Sequence, residues 1–175
     1  KKWLKVVKQQ RIFDNNGALQ QMQELVYQHL PGSNDRDVFG PQYIVDEEDY
    51  VEGYNDHLLI GATDLGLETI VETVGKLGGL VIASHVDREA FGIISQIGII
   101  PEGLALDALE LSKKYRSSPY SLEGYPYPFV TFSDAHHPQD IGEAYTIFLL
   151  DQISVPEVKE ALAGSAGRKI LSLAS

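Results

Sequence analysis

Apolar side chains recur at helical spacing in two places in the first half of the chain. Leu19, Met22, Leu25, Val26 and Leu30 follow Asp14-Asn15-Asn16, whose side-chain oxygens suit the unpaired donors at a helix start, and Pro31-Gly32 ends the run. Leu67, Ile70, Val71, Val74 and Leu77 fall at i, i+3, i+4, i+7 and i+10, with Glu68 and Glu72 on other faces and Gly78-Gly79 at the end. Both stretches read as amphipathic helices. Ser154-Val155-Pro156-Glu157 has the form of a capping box and predicts a last helix to about Ala163, closed by Gly164.

Between these helices stand short apolar runs of strand length. They are residues 80–83, 105–111 (interrupted by Asp107 and Glu110), 128–132 and 144–149. Continuous rather than alternating apolar runs suit strands covered on both faces. Residues 42–45 and 50–54 predict a β-hairpin around the acidic turn Asp46-Glu47-Glu48-Asp49, an insertion into the main pattern, and 32–41 read as a polar loop. Buried strands alternating with helices imply a parallel α/β fold. Function in such folds sits at the carboxyl ends of the strands. Attention therefore falls on the residues just after Ala83 and just after Phe132.

Composition bounds the function classes. The chain has 175 residues, 43% of them hydrophobic and 22% charged, enough for one domain with a real core. It lacks cysteine, which excludes disulfides and thiolate chemistry. With 14 Lys+Arg against 25 Asp+Glu the net charge is −11, which argues against long nucleic acid and anionic membrane as partners. No apolar run approaches the roughly 18 residues of a membrane span. Lys1, Lys2, Trp3, Leu4, Lys5, Val6, Val7 and Lys8 lack the features of a signal peptide. The expectation is a cytoplasmic protein.

Ser84-His85-Val86-Asp87-Arg88 comes after the first strand of interest, and Ser133-Asp134-Ala135-His136-His137-Pro138 after the other. Each places imidazole and carboxylate where a parallel sheet would gather its active site. Such nitrogen and oxygen ligands suit zinc, manganese or iron. Taken singly, His85 reads equally as a hydrogen-bonded histidine under a loop, and Asp134 as a turn starter. Arg88 reads as a phosphate contact or as a surface ion pair with Asp87 or Glu89. Glu110 ends an apolar strand, where a structural hydrogen-bonding role is the simpler reading. His137 precedes Pro138, His29 lies near a helix end, and His57 sits in a polar loop. The acidic turn reads as a solvated hairpin tip, because it lacks the glycine-shaped loop of a calcium site.

The stretch Gly78 through Arg88, together with Phe129-Val130-Thr131-Phe132-Ser133-Asp134-Ala135-His136 further on, resembles the later half of the polymerase and histidinol phosphatase (PHP) superfamily. The similarity spans residues 23–150 and points to its bacterial metal-dependent phosphoesterases. It implies part of a distorted seven-stranded, TIM-like β/α barrel with two or three divalent metals at its carboxyl face. It further implies that His85, Asp134 and His136 are metal ligands and that Arg88 contacts a phosphate. The activity implied is hydrolysis of a phosphate ester by metal-activated water, on a small phosphorylated substrate such as a nucleotide.

Members of that superfamily open with a His-x-His strand and further ligands, and nothing before Gln23 supplies these. The expectation is accordingly an incomplete domain over 1–175 whose amino-terminal strands are missing, inactive by itself. Its open edges would be covered by a second copy in a homo-oligomer, by an exchanged segment, or by the basic apolar start around Trp3, Leu4, Val6 and Val7. The rival reading is a non-catalytic α/β binding or scaffolding domain with a residual metal site.

Overall fold

The computed structural model describes residues 13–115 and 118–174; the start around Trp3, Leu4, Val6 and Val7 lies outside the described residues. Helix α1 (Asn16–Gln28) begins where Asn15 accepts a hydrogen bond from the Ala18 amide at 2.7 Å, and it buries Ala18 and Met22. The segment expected as a polar loop contains one helical turn, α2 (Arg36–Phe39), because Asp35 caps it by accepting from the Asp37 amide. Strands β1 (Tyr43–Val45) and β2 (Val51–Tyr54) pair antiparallel. Their turn is tied by Asp46, whose Oδ1 accepts from the amides of Glu48 and Tyr50.

Helix α3 (Leu67–Lys76) buries Leu67, Ile70, Val71 and Val74, the stripe its spacing predicts. It leads to β3 (Ile82–Ala83), then to α4 (Ile93–Ile97), β4 (Ala108–Leu111) and β5 (Phe129–Thr131). These three strands form a parallel sheet in the order β3-β4-β5, with Ile82 opposite Ala108 and Leu109 opposite Phe129. Strand β4 is buried along its whole length, and Leu109, Val86, Val130 and Thr131 are the best-buried large side chains. Val86 and Leu109 join the cluster that α3 builds, whereas Ala108 and Val130 pack with Leu162 of the last helix in a second cluster.

The last unit differs from the expected pattern. Strand β6 (Tyr145–Leu149), helix α5 (Val155–Ala163) and strand β7 (Lys169–Ala174) come next, and β6 and β7 pair antiparallel. The reversal is made by left-handed backbone at Gly164, Ala166 and Gly167, which turns the chain straight back after the helix. Between β5 and β6 the link is a side chain rather than a backbone ladder. Thr131 N–H donates to Thr146 Oγ1 at 2.8 Å, and that hydroxyl donates to the Thr131 carbonyl at 2.9 Å. The described residues therefore form a mixed α/β structure around a parallel sheet, in three separate small sheets, and no closed barrel. No described helix is long and apolar enough to cross a membrane.

Candidate metal and phosphate site

The carboxyl ends of the parallel strands carry the two predicted clusters. His85 stands just after β3 and Asp134 just after β5, and both have left-handed backbone, with φ of 47° and 48°. Non-glycine residues seldom adopt that region, at a cost on the order of 1 kcal/mol each, unless surrounding contacts impose it. The contacts are visible at His85. Val86 N–H donates to the Glu110 carbonyl at 3.0 Å, and Arg88 N–H closes a turn onto the His85 carbonyl at 3.0 Å. Gly92 backs that turn so closely that a Cβ there would lie 2.7 Å from the His85 carbonyl oxygen.

The turn aims the imidazole of His85 between two carboxylates. Its Nε2 lies 3.4 Å from Asp134 Oδ2 and its Nδ1 3.1 Å from Glu110 Oε1, with the His85 and Glu110 side chains each only 6% exposed. Nδ1 is within ionic reach of Glu110 but out of line for a hydrogen bond, so this buried nitrogen has no hydrogen-bond partner. The same Asp134 Oδ2 receives Arg88 Nη1 at 3.0 Å. Arg88 thus bridges the two clusters, rather than pairing with Asp87 or Glu89 beside it.

These donors fit one side of a divalent metal site. Neighbouring ligands of an ion with bonds of about 2.1 Å lie about 3.0–3.4 Å apart, and His85 Nε2 and Asp134 Oδ2 meet that spacing. Glu110 stands where a carboxylate would orient the opposite ring nitrogen, the usual support for a ligating imidazole. A third donor is not gathered: among the described residues no group of three His, Cys, Asp or Glu side chains assembles as a metal cage.

His136 is exposed, and its Nδ1 lies 2.7 Å from the carbonyl of Asp134. A carbonyl can only accept, so Nδ1 donates to it, and Nε2 is the ring nitrogen not engaged there. The other histidines are accounted for elsewhere. His137 caps the 3-10 turn Pro138–Asp140, His29 closes α1 and pairs with Asp64 at 2.7 Å, and His57 stacks on Tyr27 at 3.9 Å.

Two residues of this region were undervalued by the sequence reading. Glu110 is one, since it faces His85. The other is Asp87, which is turned inward and 3% exposed; its carboxylate accepts both the amide (2.7 Å) and the hydroxyl of Ser112, the residue after β4. Ser118 Oγ also donates to the Asp87 carbonyl, at 3.0 Å. Asp87 therefore straps the His85 loop to the loop after β4. Beside this strap a small open cavity is lined by Arg88, Glu89, Ser112, Lys114 and Ser118. On the same loop Lys113 pairs with Glu143, which holds its ammonium protonated above the ordinary lysine range.

Comparison with known proteins agrees with the superfamily read from the sequence. Residues 122–165 match the family model described as PHP-associated. The lesion-specific endonuclease PfuEndoQ from Pyrococcus furiosus has a similar structure, with a TM-score of 0.58 and 19% identity over 92% of this chain and 36% of that one. A structure of Endonuclease Q in complex with a 27-mer duplex substrate, with an abasic lesion at the active site, matches with a TM-score of 0.50 and 21% identity over 65% of this chain and 30% of that one. The chain thus spans about a third of the length of the solved proteins it matches. No curated protein matches it. The family match and the shared fold support a PHP-superfamily domain, and within it a carboxyl-terminal part.

One expectation is corrected by these neighbours. Long nucleic acid was excluded on net charge, yet a structural neighbour holds a 27-mer duplex. The charge of −11 is a sum over the whole chain. A phosphate meets only the local field. Four of the carboxylates sit on the β1–β2 turn, in a separate sheet, whereas the loops after β3 and β4 mix Arg88, Lys113 and Lys114 with Asp87 and Glu89.

Proposed function

We propose that this domain contributes one wall of a metal-dependent phosphoesterase site that hydrolyses a phosphodiester of a nucleic-acid strand. His85, through Nε2, and Asp134, through Oδ2, would hold one metal. His136 would offer Nε2 to a further ion, and Arg88 would contact the phosphate. The approach of His85 Nε2 to Asp134 Oδ2 across two separate strand ends, both in left-handed backbone, carries this reading. A bound divalent cation supplies a water ionised near neutral pH and neutralises charge on the phosphoryl oxygens.

The protein's own part is positioning. Glu110 Oε1 lies 3.1 Å from His85 Nδ1, so its carboxylate favours the His85 ring electrostatically from the side opposite the Nε2 that faces Asp134. The carbonyl of Asp134 engages Nδ1 of His136, so Nε2 is the ring nitrogen available to an ion. Arg88, with its planar fork, orients a phosphate oxygen. The described residues gather two donors and no closed barrel, so on this reading full activity belongs to a protein that adds further ligands to this wall.

The test is metal content and cleavage. The chain is dialysed against Mn2+ or Zn2+ and its bound metal measured, and a protein containing the domain is assayed on duplex DNA with and without an abasic site. Bound metal in the unaltered chain, lost in His85→Ala and Asp134→Ala, is the expected result, with cleavage abolished in the same variants. A protein containing the domain that holds no metal, or whose metal survives both His85→Ala and Asp134→Ala, overturns the reading. The absence of a third gathered donor among the described residues favours a second reading, a non-catalytic binding domain with one weak metal seat. It predicts bound metal without cleavage.

A further inference from the structure

We propose that Arg88 and a metal cation take turns on one oxygen of Asp134, so that metal binding and phosphate capture are coupled. The inference rests on the metal seat of the proposed function. Asp134 Oδ2 faces both His85 Nε2, at 3.4 Å, and Arg88 Nη1, at 3.0 Å. A divalent ion seated between the imidazole and that oxygen would lie against the guanidinium. Two cations on a single carboxylate oxygen repel each other, and the more mobile one leaves.

The mobile one is Arg88. Its side chain is 38% exposed, against 21% for Asp134 and 6% for His85. The space open to it is the cavity it already lines with Lys114. Two serine hydroxyls that line that cavity are already engaged, Ser112 Oγ on the Asp87 carboxylate and Ser118 Oγ on the Asp87 carbonyl. A guanidinium released there presents its planar fork to a phosphate. The reverse also holds: a phosphate that takes the guanidinium uncovers Asp134 Oδ2 for the metal. By linkage, each ligand raises the affinity of the other by the same factor. For a half-exposed ion pair that factor is about fivefold.

The experiment titrates Mn2+ into the chain by calorimetry, with and without inorganic phosphate, for the unaltered protein, Arg88→Gln and Arg88→Lys. Without phosphate, Arg88→Gln should bind Mn2+ about fivefold more tightly, while Arg88→Lys, which keeps a competing cation, stays near the unaltered value. Phosphate should tighten Mn2+ binding in the unaltered protein and leave Arg88→Gln unchanged. Equal or weaker binding in Arg88→Gln, or a phosphate effect that survives in it, overturns the coupling while the metal seat stands. Mn2+ binding that is absent in the unaltered chain, or unaffected by His85→Ala, removes the seat itself and the coupling with it.

Discussion

The strap formed by Asp87 offers the sharpest test of how the site is held. Asp87→Ala removes the acceptor for two buried donors of Ser112, its main-chain N–H and its hydroxyl. An orphaned buried donor costs about 1–3 kcal/mol. The hydroxyl can re-aim and the amide cannot, so the combined cost is about 3 kcal/mol. At about 2–4 °C per kcal/mol for a chain of this size, Tm should fall by roughly 6–12 °C. Asp87→Asn keeps one acceptor for the amide, and its own N–H can donate to the hydroxyl; it should cost only about 1 kcal/mol.

Thermal and urea unfolding of both variants, with Ser112→Ala and the double variant Asp87→Ala/Ser112→Ala, closes the cycle. The double variant should be less destabilised than the sum of the singles, because the hydroxyl bond is lost once and not twice. Metal content should fall less steeply in Asp87→Asn than in His85→Ala, since Asp87 acts on the position of the loop and not on the ion. Asp87→Ala as stable as the unaltered chain, or Asp87→Asn as damaging as Asp87→Ala, would refute the strap.

Other contacts give further expected outcomes. Gly92→Ala places a Cβ 2.7 Å from the His85 carbonyl oxygen; the backbone must shift, costing about 1–3 kcal/mol in urea unfolding and loosening bound metal together. Leu109→Ala, at a fully buried position of β4, should lower stability by about 2–5 kcal/mol with no change in metal per folded molecule. Glu157 accepts two hydrogen bonds from Arg168, at 2.9 and 3.0 Å, and one from the Asp151 amide, which hold its carboxyl below the usual range. A carboxyl depressed on folding contributes stability above its unfolded value and loses it as pH falls through the folded one. Glu157→Gln should therefore flatten the acid limb of a stability–pH profile in that window, and an unaltered limb would count against the pairing.

Much of this fold arises from local pattern. The stripe Leu67, Ile70, Val71 and Val74 makes α3, the oxygens of Asn15 and Ser154 start α1 and α5, and Asp46 ties the hairpin turn; each acts within a few residues of itself, so periodicity and capping chemistry reveal it. The apolar runs that become β3, β4 and β5 are visible for the same reason, and they point to the loops that carry His85 and Asp134. What the sequence could not determine lies in register and reversal. Strand β7 and its antiparallel pairing with β6 depend on where the turn after α5 returns the chain, and the side-chain rung between Thr131 and Thr146 depends on two strands meeting without a ladder.

The same division runs through the site. Residue types and order were legible, but Glu110 beside His85, Asp87 turned inward to Ser112, and Arg88 on the oxygen that faces His85 are contacts between separate loops. They exist only because the parallel sheet sets three strand ends side by side. Net charge misled for a related reason: it is additive over the chain, whereas the field at a binding site depends on which charges the fold brings near and which it carries away.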